Sequence, residues 1–234
     1  WQIHLSETEE ERQNAIKEFG CSPVEYLAKL GCLNERTIAV HCVALSDRDI
    51  ELLAESGASV VHCPVSNMRL GCGASPVVKL LKAGINVALG TDGAASACSL
   101  SMFEQMRTAG LIAKGFSQDP TELTVNQIIR MATINGANAL KLHCDAGSLA
   151  VGKLADLAVI DMSQLVTMPV LDVLSNVIYA VEAQCVHQVW VSGSLVANIQ
   201  QEKLLRPDRG KLLTKSNIMS WQNRVCEILR DDFN

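Results

Sequence analysis

Three residues able to bind a metal or move a proton each sit at the end of a short apolar run. His4 lies in WQIHL at Trp1–Leu5, His41 in TIAVHC at Thr37–Cys42, and Asp92 follows NVALG at Asn86–Gly90. Two imidazoles and a carboxylate make a donor set for zinc or iron, with a coordination position left for water. Glu7 stands three residues past His4, where a carboxylate suits a proton shuttle better than a ligand. A further apolar run, Ser59–Cys63, leads into His62-Cys63-Pro64. Each residue also has an ordinary reading. A histidine at a strand end is often structural, and Glu7 and Asp92 suit the first turn or the cap of a helix. His62, one position before its strand ends, reads as a satisfied structural histidine. Cys42, Cys63 and Cys98 read as small buried hydrophobes. His143 and His187 fall late in the chain, away from the strand ends. The coincidence of three strand ends is what separates His4, His41 and Asp92 from these readings.

The elements that must position them follow from the pattern around them. TIAVHC and SVVHC are near-continuous apolar runs, as strands buried on both faces should be. Between the runs lie helical segments. A polar helix opens on the acids Glu7, Glu9, Glu10 and Glu11, and a second covers Ser22–Leu30 with Pro23 just inside its start. Ser46–Ser56 is capped by Ser46 and closed by Gly57, and Pro76–Ala83 follows a loop at Val65–Ser75. Strands alternating with helices across short turns mean βαβ units and a parallel sheet, and in a parallel barrel all strand ends of one sense share the active face. Helices are expected at Ser99–Lys114 and Thr124–Leu140, the latter with Ile128, Ile129 and Met131 on its apolar side. Thereafter the pattern changes to a strand at Asp156–Met162, a hairpin of Val186–Val191 and Ser194–Ala197 around Gly193, and a helix at Ser216–Leu229.

Composition narrows the function classes. A formal net charge of −5 offers no basic patch for nucleic acid. No apolar stretch approaches the roughly 20 residues needed to span a bilayer. Nine cysteines without a CxxC pair read as reduced thiols in a cytoplasmic protein.

Together the stretches HLSETEEE at His4–Glu11, AVHCVALSDRDIELLAESGASVVHCPVSNMRLGCGASPV, LGTDGAASACSL followed by FEQMR, ATINGANAL at Ala132–Leu140 and GKLADLAVID at Gly152–Asp161 closely resemble the amidohydrolase superfamily. Within it they look most like the methylthioadenosine/S-adenosylhomocysteine deaminases and their triazine-hydrolase relatives. The resemblance implies an α/β fold: the C-terminal half of a (β/α)8 TIM-type barrel, strands five to eight, over residues 1–145. A portion of a small β-sandwich would follow at 146–210 and a C-terminal helix at 211–234. It implies one divalent metal ion, zinc first and iron as the alternative, with His4 and Asp92 as ligands. By the same likeness Glu7 is the acid that protonates the ring nitrogen and contacts substrate. His41 touches the nucleophilic water or the tetrahedral intermediate, Asp92 is also the general base, and Ser96 is a polar contact close to the substrate. The implied reaction is hydrolytic deamination of adenosine-type nucleosides with release of ammonia, by an enzyme that is homo-oligomeric in its full-length form, with a small molecule as the partner. Guanine deamination and triazine chloro- or aminohydrolysis are the alternatives within the superfamily.

The sequence departs from the family in one respect that matters. The His-x-His pair of the first barrel strand is missing from the five histidines, so only two of the expected ligands are encoded. The expectation is that the isolated chain binds metal poorly and turns over little, and an inactive fragment is the reading outside the enzyme class.

Overall fold

The computed structural model describes residues 1–198 and the backbone of residues 203–204; the expected helix at Ser216–Leu229 lies outside them. The four early apolar runs form β1 (Gln2–Leu5), β2 (Ile38–His41), β3 (Ser59–His62) and β4 (Asn86–Leu89), hydrogen-bonded in that order. All three pairings are parallel, with His4 opposite Val40, Leu5 opposite His41, Val40 opposite Val61 and His62 opposite Leu89. The register therefore brings the C-terminal strand ends level along one edge.

Parallel strands need crossovers, and here these are helices. α1 (Glu9–Phe19) and α2 (Pro23–Lys29) join β1 to β2, α3 (Asp47–Ser56) joins β2 to β3, and α4 (Pro64–Arg69) with α5 (Val77–Lys82) joins β3 to β4. Alternation along the strands divides the sheet's faces. Leu5, Ala39, Val60, Val87 and Leu89 pack with Val24, Leu53, Leu80 and Met106 of the helices in one buried cluster. Full burial of such a side chain contributes about 1.5–3 kcal/mol. The alternate residues Gln2, His4, Ile38, Val40, Val61, Cys63 and Ala88 line a cavity on the opposite face.

After β4 come α6 (Ala94–Ala97), α7 (Met102–Ser117), α8 (Val125–Ala132) and α9 (Ile134–Ala139). α7 starts later than expected because Ser101, not Ser99, is its cap and accepts from the Glu104 N–H. The single helix expected at Thr124–Leu140 is instead broken at Thr133. Tertiary hydrogen bonds win over helical continuity there. Asn135 Nδ2 donates to Val87 O at 2.8 Å, and Asn86 Nδ2 donates to Asn135 O at 3.0 Å, docking α9 on β4. Ile128 and Met131 are fully buried, as their spacing predicts.

A second, antiparallel sheet contains β5 (Leu157–Ile160), β6 (Val186–Val191), β7 (Ser194–Asn198) and β8 (Lys203–Leu204). β6 and β7 form the expected hairpin, with Ser192 and Gly193 both at positive φ, the backbone a tight two-residue hairpin turn requires. α10 (Val173–Tyr179), unexpected from the sequence, buries Ile178. Among the described residues every cysteine is a free thiol, and no helix is long and apolar enough to cross a membrane.

Candidate active site

The end of β1 turns sharply so that His4 and Glu7 face each other. Ser6, at φ 50°, is fully buried in that turn. The Glu11 carboxylate folds back over it, accepting from the Ser6 N–H at 2.9 Å and the Glu7 N–H at 2.7 Å. Glu11 is thus more than a first-turn acid of α1: it fixes the backbone of the His4–Glu7 turn. His4 Nδ1 lies 3.6 Å from Glu7 Oε2.

At the end of β2 the backbone enters the left-handed region at His41, φ 72°. Such backbone costs of order 1–3 kcal/mol for a non-glycine residue and concentrates at functional sites. His41 is fully buried and meets the His4 ring edge to face, the centroids 4.5 Å apart. Its Nε2 is 3.8 Å from Glu7 Oε2 and its Nδ1 is 2.8 Å from Asn67 Oδ1. The donor atoms of His4, Glu7 and His41 all lie within 4.8 Å of one another, a spacing that fits a divalent cation.

Asp92 follows β4 and is also left-handed, at φ 60°. It is not in the close group of three, but it lines the same cavity as His4. That cavity, about 270 Å³, is bounded also by Cys63, Gly90, Gly136 and Leu140. The Ser66 hydroxyl donates to Asp92 Oδ2 at 2.6 Å. Burial pushes the Asp92 carboxyl up, but the Ser66 hydroxyl, the Gly93 N–H, His41 and the Ser96 hydroxyl outweigh it and hold the group below the usual aspartate range. Ser96 therefore stands beside Asp92. Burial, with help from the Asp92 charge, pushes the Cys63 thiol up to about 12, so Cys63 behaves as the small buried hydrophobe expected. Cys42 is buried too, whereas Cys98 is exposed at the left-handed end of α6, a correction to the expected burial.

The main correction concerns the expected loop at Val65–Ser75, whose first part is α4. Pro64 occupies the first helical position, where its missing N–H costs nothing. The Val65 N–H, which has no acceptor within the helix, donates to the buried Gln105 side chain of α7 at 3.3 Å. This element carries residues that sequence reasoning missed: Ser66 on Asp92 and Asn67 on His41. Just beyond it, the Cys72 thiol donates to Glu7 Oε1 at 3.6 Å. A Ser-Asn pair directly after His-Cys-Pro was the available signal. It carries no metal-ligand or acid–base side chain of its own, so nothing marked it. His62 is buried as expected but is not satisfied. Its Nδ1 finds no partner among the described residues, and it lines a separate groove between α5 and α7 with Ser75, Val78, Ile112 and Phe116.

The amidohydrolase family model matches residues 1–196. The 5-methylthioadenosine/S-adenosylhomocysteine deaminase of Teredinibacter turnerae is 47% identical over 223 residues, covering 95% of this chain and 50% of that protein. Among solved structures, a zinc-bound adenosine deaminase from Xanthomonas campestris superposes with a TM-score of 0.88 at 39% identity, over 97% of this chain and 51% of its own. Atrazine chlorohydrolase from Arthrobacter aurescens, complexed with zinc, gives a TM-score of 0.79 at 26% identity, over 90% and 45%. The chain spans about half the length of the relatives it matches. With its strand-end histidines, the parallel sheet that levels them and a family match over most of its length, the chain belongs to the amidohydrolase family.

Proposed function

We propose that this chain supplies half of an eight-stranded βα barrel and one half of the catalytic residues of a metal-dependent deaminase acting on adenosine-type nucleosides. The observation that carries the reading is the meeting of His4, Glu7 and His41 at level strand ends, with Asp92 lining the same cavity as His4. The lined sheet face opposite the helices supports a barrel interior, where active sites lie at the C-terminal strand ends. The relative at 47% identity and the adenosine deaminase neighbour at 39% support a nucleoside over a triazine, whose enzyme is 26% identical.

His4 and Asp92, which line one cavity, would hold a divalent ion, zinc in the neighbouring structures, with Glu7 and His41 close beside His4. When bound, such an ion brings the pKa of a water molecule toward neutrality. Asp92 accepts the proton of the attacking water. Its Oδ2 accepts from the Ser66 hydroxyl, which fixes the carboxylate's orientation. Glu7 moves a proton to the ring nitrogen next to the carbon under attack. Buried His41 presents Nε2, which has no hydrogen-bond partner among the described residues, toward the attacking oxygen. Ser96 contacts the substrate. Oxygen adds to the amino-bearing carbon; the proton held by Asp92 then passes to the amino group, the carbon–nitrogen bond breaks to release ammonia, and the new hydroxyl returns its proton to Glu7 as the carbonyl forms.

The test is ammonia release from 5′-methylthioadenosine and S-adenosylhomocysteine by zinc-loaded protein containing this chain, beside Asp92→Asn. The variant is expected to lose deamination while keeping its circular dichroism spectrum. Near-normal turnover by the folded variant would sink the assignment.

A further inference from the structure

His41 has two polar neighbours of known identity, one at each ring nitrogen. Asn67 Oδ1 is 2.8 Å from Nδ1 and Glu7 Oε2 is 3.8 Å from Nε2. An amide oxygen only accepts, so the short contact requires the ring proton on Nδ1, and the neutral ring then has a bare Nε2. That bare nitrogen faces a carboxylate oxygen, which is also an acceptor. Two acceptors 3.8 Å apart do not bond to each other, and the gap between them suits a group that donates. The reverse arrangement, with the amide nitrogen donating to Nδ1, would put the proton on Nε2. At 3.8 Å from Glu7 that proton would lack a proper hydrogen bond.

We propose that Asn67 is a positioning residue that fixes the Nδ1–H tautomer of His41, so that His41 Nε2 and Glu7 Oε2 form a two-acceptor gap for a water or hydroxyl. Asn67 is able to do this because α4 is pinned by the two residues just ahead of it. The Ser66 hydroxyl is bound to Asp92, the Val65 N–H to Gln105, and Asn67 itself is fully buried. One helical turn thereby orients His41 from the end of β2 and Asp92 from the end of β4 together.

The tautomer is a property of the metal-free chain and needs neither substrate nor turnover; only its role in catalysis rests on the deaminase reading. The experiment is a long-range proton–nitrogen correlation spectrum of the chain labelled with ¹⁵N-histidine, free of metal and at about pH 9, where imidazoles are neutral. His41→Gln assigns the resonances. Wild type is expected to show His41 with Nδ1 protonated and Nε2 bare. Asn67→Asp should keep that pattern, because a carboxylate can only accept. Asn67→Leu, of similar size without an acceptor, should lose it. A protonated Nε2 in wild type, or an Asn67→Leu spectrum identical to wild type in a folded variant, overturns the proposal. If Asn67→Leu does not fold, wild type and Asn67→Asp decide the question alone. In deaminating protein, Asn67→Leu is expected to lower kcat about 10- to 100-fold, the usual effect of removing a residue that orients a site histidine; an unchanged kcat would overturn the role in positioning. Loss of deamination in every form, with the expected tautomer pattern intact, would count against the deaminase reading and leave the tautomer assignment standing.

Discussion

His62 offers a quantitative check on how the helix layer is built. It is fully buried behind β3, its Nδ1 has no partner among the described residues, and burial, reinforced by His41, pushes its pKa from 6.5 down to about 3. The unfolded chain takes up a proton near 6.5 and the folded chain does not until about pH 3. The unfolded state thus binds more protons throughout that window, so the contribution is intact above pH 6.5 and stability falls as pH falls through it. At pH 5.0, about 1.5 units below the unfolded value, the loss is about 2 kcal/mol, at roughly 1.4 kcal/mol per unit. His62→Gln keeps an amide in place of the ring and abolishes the titration. Urea unfolding of both proteins at pH 7.5 and 5.0 isolates the effect, because every other titrating group is common to the two. Wild type is expected to lose about 2 kcal/mol more than the variant between these pH values. Equal losses would mean that the imidazole is solvated or protonated in the fold, and the burial argument would be wrong.

Two further outcomes follow from close contacts near the site. A Cβ added at Gly90 would sit 2.7 Å from Val61 Cγ1 and 3.3 Å from Cys63 Sγ; Gly90→Ala is expected to cost about 1–3 kcal/mol by overpacking, read as a lower urea midpoint, and an unchanged midpoint would mean the strand end yields freely. Glu11→Ala removes the charged acceptor of the Ser6 and Glu7 amides. At about 1.5–3 kcal/mol for a bond to a charged group, amide exchange at those two residues should speed by roughly 10- to 150-fold, while Val40 in the sheet stays protected.

Much of the scaffold was legible because the relevant signals are local. Apolar runs of strand length separated by capped helical segments announce a parallel sheet whatever the rest of the chain does. The cap itself reads correctly at Ser46, which accepts from the backbone three residues on. Ser99 did not read correctly, since two serines stood close together and only packing chose Ser101. Thr133 likewise broke a helix that propensity favoured, through bonds to a strand almost fifty residues away.

For the site, the sequence by itself determined which groups could do chemistry. His4, Glu7, His41 and Asp92 stand at or just past strand ends, and the alternation of strands with helices, which makes the sheet parallel, puts those ends on one edge. Only the tertiary structure decided how they are held. Glu11 clamps the turn before Glu7, Ser66 takes one oxygen of Asp92, and Asn67 takes Nδ1 of His41. The physical reason is range: a hydrogen bond between residues 26 positions apart depends on how α4 packs against α7 and the sheet, and no local pattern of residue types encodes that distance.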